Sequence, residues 1–142
     1  MAHLKIVKSD DVGPQNLRGQ GKEAGHVKRI IATEKFYFNV DEISPGCSLH
    51  HWHTHTKYEA EGVEIEYPAD FEEIYFVLSG RGVMQWKTDS GEINEQQVGP
   101  GDTIYMPPGV VEHQLLNNGS EQIRIAVVGV PPPRRTPITS QK

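Results

Sequence analysis

Four of the chain's seven histidines fall within six residues, in the run Leu49-His50-His51-Trp52-His53-Thr54-His55. Histidines 51, 53 and 55 alternate with other residues. Side chains on a β-strand point to opposite faces with a period of two, so this spacing predicts three imidazoles on one face. Imidazoles crowded together cannot all be charged, and neutral imidazole is the commonest side-chain ligand for transition metals. The run lies mid-chain and is interrupted by Trp52 and Thr54, unlike an expression tag. The chemistry to which these residues point is metal binding.

The elements that must position them read as strands. His26–Thr33 and Lys35–Glu42 are rich in β-branched and aromatic residues, and Ser44-Pro45-Gly46 marks a turn before the histidine strand. Glu73–Leu78 is the strongest strand pattern in the chain. Gly82–Thr88 pairs back on it as a hairpin partner, and Gln96–Val98, Thr103–Met106, His113–Asn117 and Gln122–Val128 follow at the spacing of an all-β barrel or sandwich. Residues 1–25 read as an irregular arm with at most one short strand near Leu4–Val7. Residues 56–71 are an acidic insertion in which Val63, Ile65 and Tyr67 alternate with Glu64 and Glu66. Residues 131–142 form a proline-rich tail expected to be solvated or to cross to a partner.

At 142 residues the chain suits one domain with a single core, and no internal repeat is visible. The net charge of −5 comes without a basic stripe, which argues against a nucleic-acid partner. No apolar run approaches membrane-spanning length, and no secretory h-region is present, so neither a membrane nor export is expected. The single Cys47 cannot form an internal disulfide and suits a reducing compartment, hence a cytoplasmic expectation.

Two motifs carry a family likeness. The first is Pro45-Gly46, four residues, His51-x-His53, an insertion, and then Glu73-x6-Gly80. The second is Gly101-x5-Pro107-x-Gly109, three residues, His113-x3-Asn117. Together they resemble the two motifs of the cupin superfamily over residues 27–129. The resemblance implies a single-domain, jelly-roll-like antiparallel β-barrel over residues 26–130, with the 56–71 insertion near its mouth. It further implies one divalent metal (Fe, Mn, Ni, Cu, Co or Zn) held by three histidines and a glutamate. His51, His53, Glu73 and His113 are the expected ligands, with His53 and His55 as the alternative pair. Glu73 is also the candidate proton carrier, and His55, Tyr58 and Tyr75 are candidate pocket residues. Three residues rather than two separate Gly109 from His113, so a one-residue bulge is needed to turn His113 inward; otherwise Glu112 faces in. His50, of opposite parity, is expected to pack outside the barrel.

Such a centre implies an enzyme acting on a small oxygenated molecule. A metal-dependent dioxygenase is the leading expectation, with isomerase, lyase or cyclase as the alternative and a non-catalytic ligand-binding or sensor module as the third. The insertion is expected to form a flap or hairpin that narrows the entrance. The family's habit of pairing sheets implies a homodimer through residues 26–40, with Ile30, Ile31, Phe36 and Phe38 at the contact.

Overall fold

The computed structural model describes residues 2–60 and 62–138, and the chain is nearly all β. Five strands form one sheet in the order β1–β2–β10–β5–β8: β1 (Gly25–Ala32), β2 (Tyr37–Ile43), β10 (Ile123–Val130), β5 (Glu72–Ser79) and β8 (Thr103–Met106). A second sheet has the order β7–β6–β9, from β7 (Ile93–Val98), β6 (Gly82–Lys87) and β9 (His113–Leu116). The pairings are antiparallel throughout. The sheets are not closed into a continuous barrel, and the arrangement is jelly-roll-like. Among the described residues no helix is long and apolar enough to cross a membrane.

Alternation builds the core. In β5, Glu73, Tyr75 and Val77 are buried while Ile74, Phe76 and Leu78 are each 40% exposed. The inward residues of β10, Ile123, Ile125 and Val127, join Ile43, Leu49, Met84, Met106 and Leu115 in one apolar cluster. Leu17 of the N-terminal arm also enters it, tied down by pairing of Gln15 with Val27. The arm otherwise holds two short 3-10 turns, at Ser9–Asp11 and Lys22–Ala24, and the strand expected near Leu4–Val7 is absent.

The insertion folds as a hairpin of β3 (Lys57–Ala60) and β4 (Val63–Glu66). Its partner corrects the expectation for the tail. Residues Arg134–Pro137 form β11, which pairs with β4 in a third sheet ordered β11–β4–β3. The prolines at 131–133 precede this ladder, and Pro137 stands at its last position, so the missing N–H groups do not interrupt it. Glu61 and residues 139–142 of the insertion and tail lie outside the described residues.

One inward row positions the site. Gly129 of β10 lies opposite both Tyr37 of β2 and Glu73 of β5. Having no side chain, it lets the Tyr37 ring lie across the intervening strand, and the Tyr37 hydroxyl donates to Glu73 Oε2. A Cβ at position 129 would stand 2.3 Å from Tyr37 ring atoms. Gly129→Ala should therefore displace Tyr37, break its bond to Glu73 and cost about 1–3 kcal/mol by overpacking, read as a lower urea midpoint at unchanged m-value.

Candidate metal centre

The histidine segment is not a regular strand, and its irregularity selects which imidazoles meet. It pairs with β9 at two isolated positions, Ser48 opposite Leu116 and His53 opposite His113. Between them β9 advances three residues and the histidine segment five, so two extra residues loop out. An unbroken ladder would have set His51 opposite His113. The excess sets His53 there instead, locked by His53 N–H to His113 C=O at 3.1 Å and His113 N–H to His53 C=O at 3.0 Å. His55, two residues on, shares the inward side. This corrects the expected pair: His51 is exposed on the loop, with Nδ1 3.2 Å from Ser48 Oγ, and lies outside the cluster. His50 turns inward rather than outward and meets the His53 ring edge-on, with 5.2 Å between centroids.

One nitrogen from each of His53, His55 and His113 lies within 4.8 Å of the others. Two of these rings have their far side fixed. Nδ1–H of His53 donates to the His51 carbonyl at 2.7 Å, and Nδ1–H of His113 donates to the Val111 carbonyl at 2.8 Å. Each tautomer leaves Nε2 with a bare lone pair, and His113 Nε2 is buried without a hydrogen-bond partner. Burial lowers the pKa of His113; burial and the neighbouring His50 and His113 push that of His53 down to about 2. Neutral, preoriented rings at His53 and His113, with an orphaned buried acceptor on the latter, fit a divalent transition ion, and these two with His55 would hold it.

Glu73 stands beside this group. Its Oε1 lies 3.2 Å from His55 Nε2, while Oε2 accepts from Tyr37. Burial alone would raise its pKa, but the His55 and Tyr37 contacts outweigh that and hold it below the ordinary range. Asp41, on the same inward face of β2, is shifted the other way: burial, reinforced by the Glu73 charge, holds its carboxyl well above the ordinary range. His113 points inward because the extra residue is absorbed in the turn before β9, and Glu112 pairs outside with Lys87 at 2.7 Å.

His53, His55, Glu73 and Asp41 open on a cavity of about 860 Å³, with His113 buried behind the first two. Tyr75 lines it from β5, and the hairpin closes one side with Tyr58, Ile65 and the nearby Tyr67. Tyr37, Asp41, Arg18, Arg29 and Arg135 also face this cavity, and sequence reasoning missed them. For two of them a signal existed: Tyr37, Asn39 and Asp41 alternate in β2, a polar set on an inward face. The arginines carried none.

Comparison with known proteins agrees with the fold. Residues 60–129 match the family model described as a cupin domain. The chain carries a cupin domain. An uncharacterized protein of Methanocaldococcus jannaschii is 38% identical over 61 residues, 43% of this chain and 44% of that protein. A glucose-6-phosphate isomerase of Thermococcus gammatolerans is 40% identical over 53 residues, 37% of this chain and 28% of that protein. The matches thus span less than half the length of these curated relatives. Among solved structures, the polyketide cyclase RemF of Streptomyces resistomycificus superposes with a TM-score of 0.65 at 21% identity, covering 99% of this chain and 89% of that one, a likeness of fold.

The buried imidazoles of this cupin domain make stability depend on pH. Burial, with Arg18, lowers His50 to about 4 and His53 lies lower still, whereas an unfolded histidine titrates near about 6.5. Below that pH the unfolded chain takes up protons that the folded one refuses, so stability present at neutral pH is lost as pH falls. The thermal midpoint of metal-free protein, followed by circular dichroism, should drop steadily between about pH 7 and about pH 5. A flat profile would mean that these rings are not held neutral.

Proposed function

We propose that this protein is a metal-dependent enzyme acting on a small oxygenated molecule, by proton transfer of the isomerase, lyase or cyclase kind. The observation that carries the reading is the opening of the three-histidine group onto a cavity that also receives two buried carboxyls, Glu73 and Asp41. A divalent ion there would supply Lewis acidity toward a substrate oxygen and acidify the adjacent C–H. The chain's own residues supply the proton traffic. Glu73, kept ionised by His55 and Tyr37, can take a proton; Asp41, kept neutral by burial, can give one. Two carboxyls pushed in opposite directions within one cavity are the arrangement that acid–base chemistry uses. The dioxygenase expectation makes no use of this pair, so it ranks second. The names of the similar proteins, an isomerase and a cyclase, lean the same way.

Elemental analysis should find about one divalent ion per chain, lost in His53→Ala/His113→Ala. Metal-loaded protein should then exchange deuterium from D2O into a hydroxy-ketone panel. Asp41→Asn should slow that exchange by about a hundredfold or more at unchanged metal content. Oxygen uptake by iron-loaded protein without proton exchange would restore the dioxygenase reading, and failure of the purified protein to take up any metal would end both.

We also propose a homodimer. The outer face of the five-stranded sheet carries Phe38, Val128, Ile74 and Tyr105 side by side in one row across four strands. Phe76 and Leu78 extend it along β5. The N-terminal strands first expected at the contact continue this row, with Ile31 of β1 opposite Phe38. An exposed apolar patch of this kind is characteristic of subunit interfaces. Light scattering at micromolar concentration should give twice the chain mass, and Ile74→Lys should give a folded monomer. A monomeric parent protein overturns the proposal.

A further inference from the structure

Three guanidinium groups line the cavity from outside the histidine-bearing segments: Arg18 from the N-terminal arm, Arg29 from β1 and Arg135 from β11. They gather there although the chain's net charge is −5. Of the three arginines elsewhere, Arg81 is exposed to solvent and the other two have counterions. Arg134 reaches Glu66 at 3.0 Å, and Arg124 reaches Glu42 at 3.5 Å. Among the described residues no carboxylate lies within 4.0 Å of Arg18, Arg29 or Arg135.

Register explains the difference between the neighbours Arg134 and Arg135. Arg134 lies opposite Glu66 on the outer face of the small sheet; Arg135 lies opposite Ile65, which faces the cavity and is itself opposite Tyr58. The hairpin's Glu64 and Glu66 are taken on that outer face by Lys57 and Arg134.

The carboxyls that do share the cavity leave the arginines unneutralised. Glu73 is engaged by Tyr37 and His55, and Glu59 is exposed on the hairpin. Asp41 feels the Arg29 charge, but desolvation outweighs it. Partial burial and the Arg135 charge both disfavour the charged form of Arg29. The Arg18 guanidinium stacks 3.8 Å from the Tyr58 ring centroid, which fixes its plane at the cavity wall. Positive groups held near one another without a counterion are relieved by an anion, and planar guanidinium forks match carboxylate and phosphate oxygens two at a time.

We propose that Arg29 and Arg135, with Arg18 nearer the histidines, form a subsite for an anionic group, carboxylate or phosphate, on the molecule that the centre acts upon. The inference deepens the proposed function and rests on it for the identity of that molecule as substrate; the anion subsite itself rests on the arginines. A cavity of about 860 Å³ has room for an oxygenated end at the histidines and a charged end at the arginines.

Calorimetric titration of the full chain at low salt, metal-free and zinc-loaded, with inorganic phosphate and separately with acetate tests this. At least one anion should bind in the millimolar range to the metal-free protein. Arg29→Gln/Arg135→Gln should weaken that binding by about tenfold or more with zinc uptake unchanged, and Arg29→Lys should fall between. Arg135→Gln alone, at an exposed strand position, gives the same comparison if the double variant is less stable. Phosphate alone or acetate alone identifies the group while sustaining the subsite. Equal affinity in the parent and the double variant, no binding of either anion at tens of millimolar, or binding only with zinc that His113→Ala abolishes would each overturn it. Because the metal-free titration needs no ion, failure of the metal reading shows separately, as absent zinc uptake.

Discussion

The reciprocal backbone hydrogen bonds between His53 and His113 set the register on which the metal centre depends. They oppose two histidines directly, with ring centroids 4.4 Å apart, and they do so only because two residues loop out after Ser48. Removing the loop would return His51 to that place in the ladder and carry His53 two positions further along. The far nitrogen of each ring is tied to a backbone carbonyl at 2.7 or 2.8 Å, so the same chain that sets the register also sets the tautomer. Side-chain chemistry here follows from main-chain geometry.

A second constraint is the absence of a side chain. The inward row Tyr37–Gly129–Glu73 brings a phenol and a carboxylate together across a strand that would otherwise keep them apart. Glu73 is thereby held from both sides, by Tyr37 and by His55, and a buried carboxylate with two partners keeps its charge where a solitary one would surrender it. Asp41, equally inward but without a hydrogen-bond partner for Oδ1, shows the other outcome.

Much of this was legible in the sequence, and the failures have a common cause. The period-two pattern of 73–78 gave β5 and the inward direction of Glu73 and Tyr75. The glycine and proline positions of both motifs located the turns, and the alternation of Val63 and Ile65 gave the strand β4. His51 was misplaced because alternation is a rule about an unbroken ladder, and nothing in Ser48–His53 announces two extra residues. The same parity error put His50 outside. The tail was read as unpaired because proline cannot donate, yet Arg134 and Arg135 lie between the prolines and are free to pair. The cavity arginines were invisible because each comes from a different, distant segment, and only the third sheet brings Arg135 over the mouth.

That third sheet divides the cavity into two kinds of wall. The histidines and inward carboxyls belong to the jelly-roll itself, where a change in one strand disturbs its neighbours' ladders. Arg18, Tyr58 and Arg135 belong to an arm, a hairpin and a strand that lie outside the two jelly-roll sheets. Arg29, in β1, is the exception; substitutions at Arg18, Tyr58 and Arg135 themselves break no pairing of the two jelly-roll sheets. Mutational drift can therefore retune which molecules enter while the ion-facing end stays fixed, and the two halves of one cavity are free to evolve at different rates.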